Sequence, residues 1–122
     1  LHTVGAANTI ERIIDVFPPN QQRQITIQLA SVLQAVISQQ LVPSVDGTLI
    51  PVFEIMEVTP AIRNMIRENK VHQIDGMIYS STGSGMMSMD QSLLQAYKDG
   101  KISKDTAMLY ASNAEMLGKR LR

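Results

Sequence analysis

Two stretches rich in β-branched residues, 35–42 and 48–58, constrain the fold most, because the apolar residues elsewhere recur at helical spacing. The segment between them, 43–47, reads Pro-Ser-Val-Asp-Gly and is typical of a turn. We therefore expect an antiparallel hairpin. Pro51 has no N–H to donate to a strand ladder, so we expect it near a strand end or on an edge.

Two helices are predicted before the hairpin, at about 9–17 and 20–34. Asn8 or Thr9, followed by Glu11, indicates the start of the first helix, and two prolines mark its end. The first 58 residues therefore have a mixed α/β pattern.

Beyond residue 58 every pattern is helical. Thr59 as N-cap, with Pro60 at the first helical position, starts one helix. Ser88 and Gln91 have the spacing of a capping box for a later helix, which Gly100 closes. Serine N-caps mark two further helix starts, at Ser103 and Ser112.

Composition excludes several classes of function. Eleven basic residues balance eleven acidic ones, and Trp is absent, so a dedicated nucleic-acid-binding surface is not expected. The chain has no Cys, which excludes disulfides, thiolate metal sites and thiol nucleophiles. No apolar run approaches the roughly 20 residues of a membrane-spanning helix, so we expect no direct membrane insertion.

Motifs for a self-contained active site are also absent. The sequence contains no Gly-Lys-Ser or Gly-Lys-Thr loop and no Gly-x-Ser-x-Gly elbow. Gly83-x-Gly85 lies between predicted helices, which favours a linker over a phosphate loop. Neither His2 nor His72 has a second ligand at metal-binding spacing, so no metal site is expected.

The most distinctive surface is the segment from Ala61 to Glu68. Arg63, Arg67 and Lys70 follow at i, i+4 and i+7, which places them on one face of a helix. Such a stripe is commonly a solvated face. It is also suited to docking a protein that carries carboxylates, because the arginine guanidinium offers several donors in one plane.

The eight methionines present a similar choice between core filler and adaptable binding surface. Helical spacing favours the core for four of them, namely Met65, Met77, Met108 and Met116. Met86 and Met87 fall in a predicted loop, and for this pair the structure has to decide between burial and exposure.

Several runs resemble the PilT family of type IV pilus retraction ATPases, within the type II/IV secretion ATPases. The most specific match is the octapeptide Ala61-Ile62-Arg63-Asn64-Met65-Ile66-Arg67-Glu68, which is similar to the family's AIRNLIRE signature with methionine in place of leucine. Further matches are His2-Thr3, 9–18, Phe53-Glu54-Ile55-Met56 and Met89-Asp90-Gln91-Ser92-Leu93. The resemblance covers nearly the whole chain and fades after about Leu117.

The resemblance implies an α/β chain in which residues 1–58 end a RecA-like ATPase core and 59–122 form an all-helical C-terminal subdomain. It implies a hexameric parent that uses ATP and Mg, with the phosphate-binding motifs upstream of Leu1, and no cofactor in this chain. His2 and Thr3 match the histidine box, which senses the nucleotide phosphate. The signature helix is tied to retraction, so Arg63 and Arg67 are expected to contact a partner or another subunit.

Two hypotheses remain open from the sequence. In the first, the chain is part of a cytoplasmic motor held at the inner membrane by the platform proteins of the pilus. In the second, it is a free-standing helical adaptor that docks an acidic partner through Arg63 and Arg67. The start at Leu1 rather than Met favours a piece of a longer protein.

Overall fold

The computed structural model describes residues 5–80 and 85–121, which form seven α-helices and one two-stranded sheet. The strands are β1 (Ala35–Pro43) and β2 (Leu49–Glu57). The helices are α1 (Ala6–Asp15), α2 (Pro19–Val32), α3 (Pro60–Arg67), α4 (Ile74–Ser80), α5 (Met89–Lys98), α6 (Lys104–Tyr110) and α7 (Ala114–Arg120), with a 3-10 turn, Val71–Gln73, before α4. In the part of the chain that is described, no helix has the length and apolarity needed to cross a bilayer.

The predicted hairpin is confirmed. β1 and β2 are antiparallel, in a register that runs from Ala35 opposite Glu57 to Pro43 opposite Leu49. Pro51 lies within β2, and its missing N–H is tolerated because each strand of a two-stranded sheet is an edge. In the turn, hydrogen bonds from Ser44 and then Thr48 lower the pKa of Asp46 to about 2.

The two faces of the hairpin have different surroundings. Val42, Val52 and Met56 point inward and are at most 2% exposed. On the opposite face, Ile37 and Leu49 are apolar and more than 60% exposed. The alternation of side chains along a strand explains this separation, because successive residues point to opposite faces.

Two hydrophobic clusters lie against the inner face of the hairpin. The first joins α1, α2, α3, α4 and the 3-10 turn to Met56, and the second joins α5, α6 and α7 to Val42 and Val52. Helices α3 and α4 therefore share their core with α1 and α2. The division at 58/59 stays a prediction about a longer protein, and this packing crosses it.

A buried carboxylate connects the two clusters. Glu54 is 6% exposed on the inner face of β2, between Val52 and Met56. Its Oε1 accepts a hydrogen bond from the Ala6 backbone N–H at 2.6 Å, and its Oε2 accepts one from the Met89 N–H at 3.4 Å. These are the first amides of α1 and α5, which have no partner within their own helices. Glu54 thus satisfies two helix N-termini from a third element.

This arrangement corrects the predicted start of the first helix. The helix begins at Ala6, with Gly5 as N-cap at φ 94°, rather than at Asn8 or Thr9. A side chain on Gly5 would lie 3.2 Å from Glu54 Oε1, so glycine is needed both for the backbone angle and for the close approach. The end of the helix before the prolines is confirmed.

Among the later caps, Thr59, Ser103 and the Ser88–Gln91 capping box are confirmed. The predicted cap at Ser112 is wrong, because Asn113 caps α7 by accepting from the Met116 N–H.

The methionine predictions are partly wrong. Met65, Met77 and Met108 are half-buried against the clusters, as expected. Met116 is 40% exposed because α7 buries Leu117 instead. Met86 is 6% exposed and belongs to the first cluster, since the backbone of Met87 pairs with Ile55 and draws the segment onto β2.

Burial raises the pKa of Glu54 above its ordinary value of 4.5, against the lowering effect of the two amide hydrogen bonds. The folded chain therefore binds this proton more tightly than the unfolded chain does. Protonated Glu54 contributes stability below about pH 4.5, and that contribution is lost as the pH rises through the folded value.

We predict that the free energy of unfolding of the natural chain falls relative to that of Glu54→Gln as the pH rises. The fall begins near pH 4.5 and ends above the raised pKa that Glu54 has in the folded chain. The glutamine has no proton to lose, so the difference isolates the titration of Glu54. Urea unfolding of both chains across this pH range measures it. The control is Glu11→Gln on the exposed side of α1. A difference curve of the same shape for the control would contradict the assignment to Glu54.

Candidate functional site

Helix α3 carries the segment that sequence analysis singled out. It begins as predicted, with Pro60 at its first position and the Thr59 Oγ1 accepting a hydrogen bond from the Ile62 N–H at 3.3 Å. Proline is favoured there because the first N–H of a helix has no partner to lose. The local sequence alone therefore sets where this helix starts.

The end of α3 is a Schellman motif centred on Asn69. Asn69 has φ 61°, and its N–H donates to the Ile66 carbonyl at 3.1 Å, while the Lys70 N–H donates to Met65 at 2.7 Å. This pairing satisfies carbonyls that the last turn leaves open and reverses the chain. Lys70 consequently leaves the helix, so the predicted three-residue basic stripe is wrong in its third member. Its ammonium lies 3.7 Å from the Glu68 carboxylate.

The inner face of α3 packs into the first cluster, where Ile62 and Ile66 are fully buried. Arg63 is half-buried at the edge of this face, and its guanidinium donates to the backbone carbonyl of Ala30. Ala30 lies in the last turn of α2, where carbonyls have no intrahelical partner. Arg63 therefore caps α2, a contact within the chain.

The outward residues of α3 and its C-cap are Ala61, Asn64, Arg67 and Glu68. Arg67 is exposed, and its Nη1 donates to the Asn64 Oδ1 at 2.9 Å. This hydrogen bond between residues one turn apart orients the guanidinium along the helix surface. Arg67 is thus the signature arginine that remains available to another molecule.

A small cleft of about 180 Å³ lies beside the end of α3. Its walls come from three elements: Ile14 on α1, a group on α2 that includes Arg23, and Arg67 with Asn69 after α3. The cleft brings Arg23 and Arg67 to one opening. No sequence motif singles out Arg23, because its position beside Arg67 depends on the angle between α2 and α3, which is not a property of either helix.

A larger cavity of about 440 Å³ lies between the two clusters. Three carboxylates line it, those of Glu54, Asp75 and Asp90, together with Tyr79 and Met116. Asp90 is 6% exposed, and its two oxygens accept from the Ser112 and Asn113 amides at 2.7 and 2.9 Å. Burial raises the pKa of Asp75. Glu54 and Asp90 thus already serve as structural acceptors.

Neither cavity fits a nucleoside triphosphate. Among the described residues no Lys or Arg lines the larger cavity, and its carboxylates repel phosphate. The smaller cavity is below the roughly 300 Å³ of ordinary small-molecule pockets. Within residues 5–80 and 85–121, no three potential ligands from His, Asp and Glu gather to hold a metal ion. His72 is exposed on the 3-10 turn. His2 and Thr3 lie outside the described residues, so their predicted role stays a prediction.

Comparison with known proteins places these elements in context. The twitching motility protein of Neisseria gonorrhoeae is 42% identical over 118 residues, covering 96% of this chain and 32% of that protein. The type IV pilus retraction ATPase PilT of Pseudomonas aeruginosa is 42% identical over 107 residues, covering 88% of this chain and 31% of the relative. A crystal structure of the pilus retraction motor PilT with bound ADP superposes with a TM-score of 0.81 at 39% identity, over 98% of this chain and 33% of that one.

This chain is a homologue of part of the PilT proteins. The resemblance seen in the sequence is confirmed, and the α/β fold matches part of the PilT fold. The chain spans about one third of the length of these relatives. The Legionella pneumophila ATPase DotB shares the fold, with a TM-score of 0.70 at 23% identity. No protein-family model matches the chain.

We predict that Asn69→Ala lowers the free energy of unfolding by about 1 kcal/mol, because alanine is penalised in the left-handed region that ends α3. Asn69→Gly keeps the same motif without a Cβ and should be at least as stable as the natural chain. Urea or thermal unfolding of the matched pair measures the difference. Equal stability of the alanine and glycine variants would mean that α3 does not depend on this turn.

Proposed function

We propose that this chain is the C-terminal part of a hexameric motor ATPase that powers type IV pilus retraction and twitching motility. The similarity to PilT in sequence and structure, over nearly the entire chain, carries the proposal. In this proposal residues 1–58 complete a RecA-like core and 59–122 form the helical subdomain. The parent works in the cytoplasm, at the inner-membrane platform of the pilus.

The outer face of the hairpin supports a longer parent. Ile37, Leu41 and Leu49 are each more than half exposed on one side of the two strands. Contiguous apolar surface of this kind normally marks an interaction site. The rest of a RecA-like core, packed against this face, would bury it.

Nucleotide chemistry in this proposal belongs mainly to the missing part of the parent. ATP and Mg are bound by residues upstream of Leu1, and His2 with Thr3 senses the nucleotide phosphate from the histidine box. The cavities of the described residues support this division, because neither has both the size and the positive charge for a triphosphate. The 122-residue chain alone should not hydrolyse ATP.

Helix α3 contributes force transmission rather than nucleotide binding. On its buried side, Ile62 and Ile66 belong to one hydrophobic cluster with residues of α1 and α2. Its exposed Arg67 is positioned to contact a platform protein or a neighbouring subunit. Arg63 acts within the chain by holding the end of α2. Movement of the core would therefore reach the partner surface through packed side chains.

We predict no detectable binding of ATP to the isolated chain in equilibrium dialysis or calorimetry, with or without Mg. The physical reason is that no described cavity combines phosphate-binding groups with sufficient volume. The gene upstream of Leu1 should encode a Gly-Lys-Ser or Gly-Lys-Thr loop about one domain away. Tight ATP binding by the isolated chain would place the nucleotide site within it and contradict this division.

In the full-length protein, we predict that Arg67→Ala abolishes twitching while the subunit still folds and assembles. Arg67 is exposed, and among the described residues its side chain donates to Asn64 on the same helix surface, so its loss leaves the core intact. Lys98→Ala, an exposed basic residue near the end of α5, is the matched control and should twitch normally. Normal motility of Arg67→Ala would remove the mechanical role of this arginine.

A further inference from the structure

The cleft beside α3, defined by Ile14, Gln22, Arg23, Thr26, Arg67 and Asn69, has the features of a small anion site. The two arginines come from different helices, α2 and the last turn of α3, and line one opening of about 180 Å³. Both arginines are exposed, and an anion placed between two like charges at one opening is attracted by both. The cleft is therefore suited to an anionic partner.

The chain does not supply that partner from its described residues. Among the described residues, Lys70 and Glu68 form an ion pair within 4.0 Å. No described carboxylate lies within that distance of Arg23 or Arg67. Arg67 uses one donor on Asn64, which leaves the other N–H groups of its planar fork free for an incoming acceptor. Arg63 differs because it is already turned to the Ala30 carbonyl.

The other residues that line the cleft further restrict the kind of anion that it can bind. The Thr26 hydroxyl donates to the Gln22 carbonyl, and the Gln22 Nε2 donates to the Phe17 carbonyl. Both polar groups are thus engaged in holding α2 and the segment before it. Ile14 adds an apolar wall. What remains is two cationic donors and the polar Asn69 side chain beside the apolar Ile14, which suits an anionic head on a short apolar stem.

The volume of the cleft and the net charge of the chain restrict which anions can bind. A cleft of about 180 Å³ is below the volume of pockets that enclose nucleotide-sized ligands, and the formal net charge of zero provides no extended positive field for nucleic acid. An aspartate or glutamate side chain is small enough for the cleft, and it has a methylene stem for Ile14 and two oxygens for the guanidinium forks.

We propose that this cleft binds one aspartate or glutamate side chain of another protein chain, held between Arg23 and Arg67. The inference deepens the proposed partner contact of α3 and rests on it for its biological role. It adds Arg23, from outside the signature, as the second half of the binding site, and it assigns Arg63 to the interior contact. The carboxylate bridges α2 and α3, so partner binding locks the angle between the two helices.

The test titrates the isotope-labelled chain with N-acetyl-glutamate N-methylamide and follows the arginine side-chain Nε–H signals by NMR. We expect saturable shifts at Arg23 and Arg67 and none at Arg63 or Arg120. The uncharged N-acetyl-glutamine N-methylamide should leave all four unchanged. Arg23→Gln and Arg67→Gln should each weaken binding about fivefold, as expected for one exposed ion pair, whereas Lys98→Gln should leave the dissociation constant unchanged.

A variant that retains the positive charge distinguishes hydrogen bonding by the planar guanidinium from charge attraction alone. Arg67→Lys should bind more weakly than the natural chain and more tightly than Arg67→Gln, because the ammonium keeps the charge but loses the planar pair of donors. Thermal unfolding of each variant checks its fold. If Arg67→Gln does not fold, two measurements still test the proposal: the affinity of Arg23→Gln, which is changed on the exposed side of α2, and the NMR shifts of the arginine signals in the natural chain.

Three outcomes would overturn the assignment: no shift at Arg23 and Arg67, an equal loss of affinity in Lys98→Gln, or selective binding of inorganic phosphate without binding of the glutamate probe. The last would make the cleft a phosphate site. The titration is independent of motor function. Saturable binding by the natural chain, together with a gene that lacks an upstream phosphate loop, would uphold the cleft and reject the motor. No probe binding by the natural chain, together with an upstream phosphate loop and a normally motile Arg23→Gln strain, would do the reverse.

Discussion

The carboxylate of Glu54 is the contact on which the rest of the structure depends. It lies buried on the inner face of β2 and accepts hydrogen bonds from the first amides of α1 and α5. Those helices belong to different hydrophobic clusters. Since a buried carboxylate is costly unless it is hydrogen-bonded, and helix N-termini are rich in unpaired donors, each side satisfies the requirement of the other.

The hairpin is long enough to contribute to both clusters. Its two strands place Met56 in the first cluster and Val42 and Val52 in the second, with Glu54 between them. Glu54 lies between the apolar residues Val52 and Met56 on this face, so the two clusters meet along a seam of hydrogen bonds made by Glu54. The larger cavity lies along the same seam, with Asp90 tying α5 to the segment before α7.

Within the signature helix, residues of the same type have different roles. Arg63 and Arg67 are one turn apart, yet Arg63 satisfies a carbonyl at the end of α2 while Arg67 remains exposed above the cleft. The turn at Asn69 removes Lys70 from the helix and completes the wall of that cleft. A short helix can thus anchor to the core on one side and present a single guanidinium on the other.

Local signals predicted the start of α3, the capping box of α5 and the strand pairing, because caps and turns depend on residues within four or five positions of each other. They failed where a distant residue replaced the local one. Glu54 is 48 residues from the amide of Ala6, and the pattern around Asn8 and Thr9 contained no trace of it. Asp90 likewise holds Ser112 by its backbone, and the cap falls one residue later.

The sequence by itself determined the mixed α/β class, the order of the elements and the membership of the signature helix in a PilT-like chain, since these follow from periodicity, caps and motif residues. Only the tertiary structure decided that Arg63 contacts the end of α2, that Arg23 and Arg67 line one cleft, and that one carboxylate connects two clusters. The physical reason is that these contacts depend on the angles at which helices pack. Those angles are set by the summed fit of many side chains rather than by any short segment.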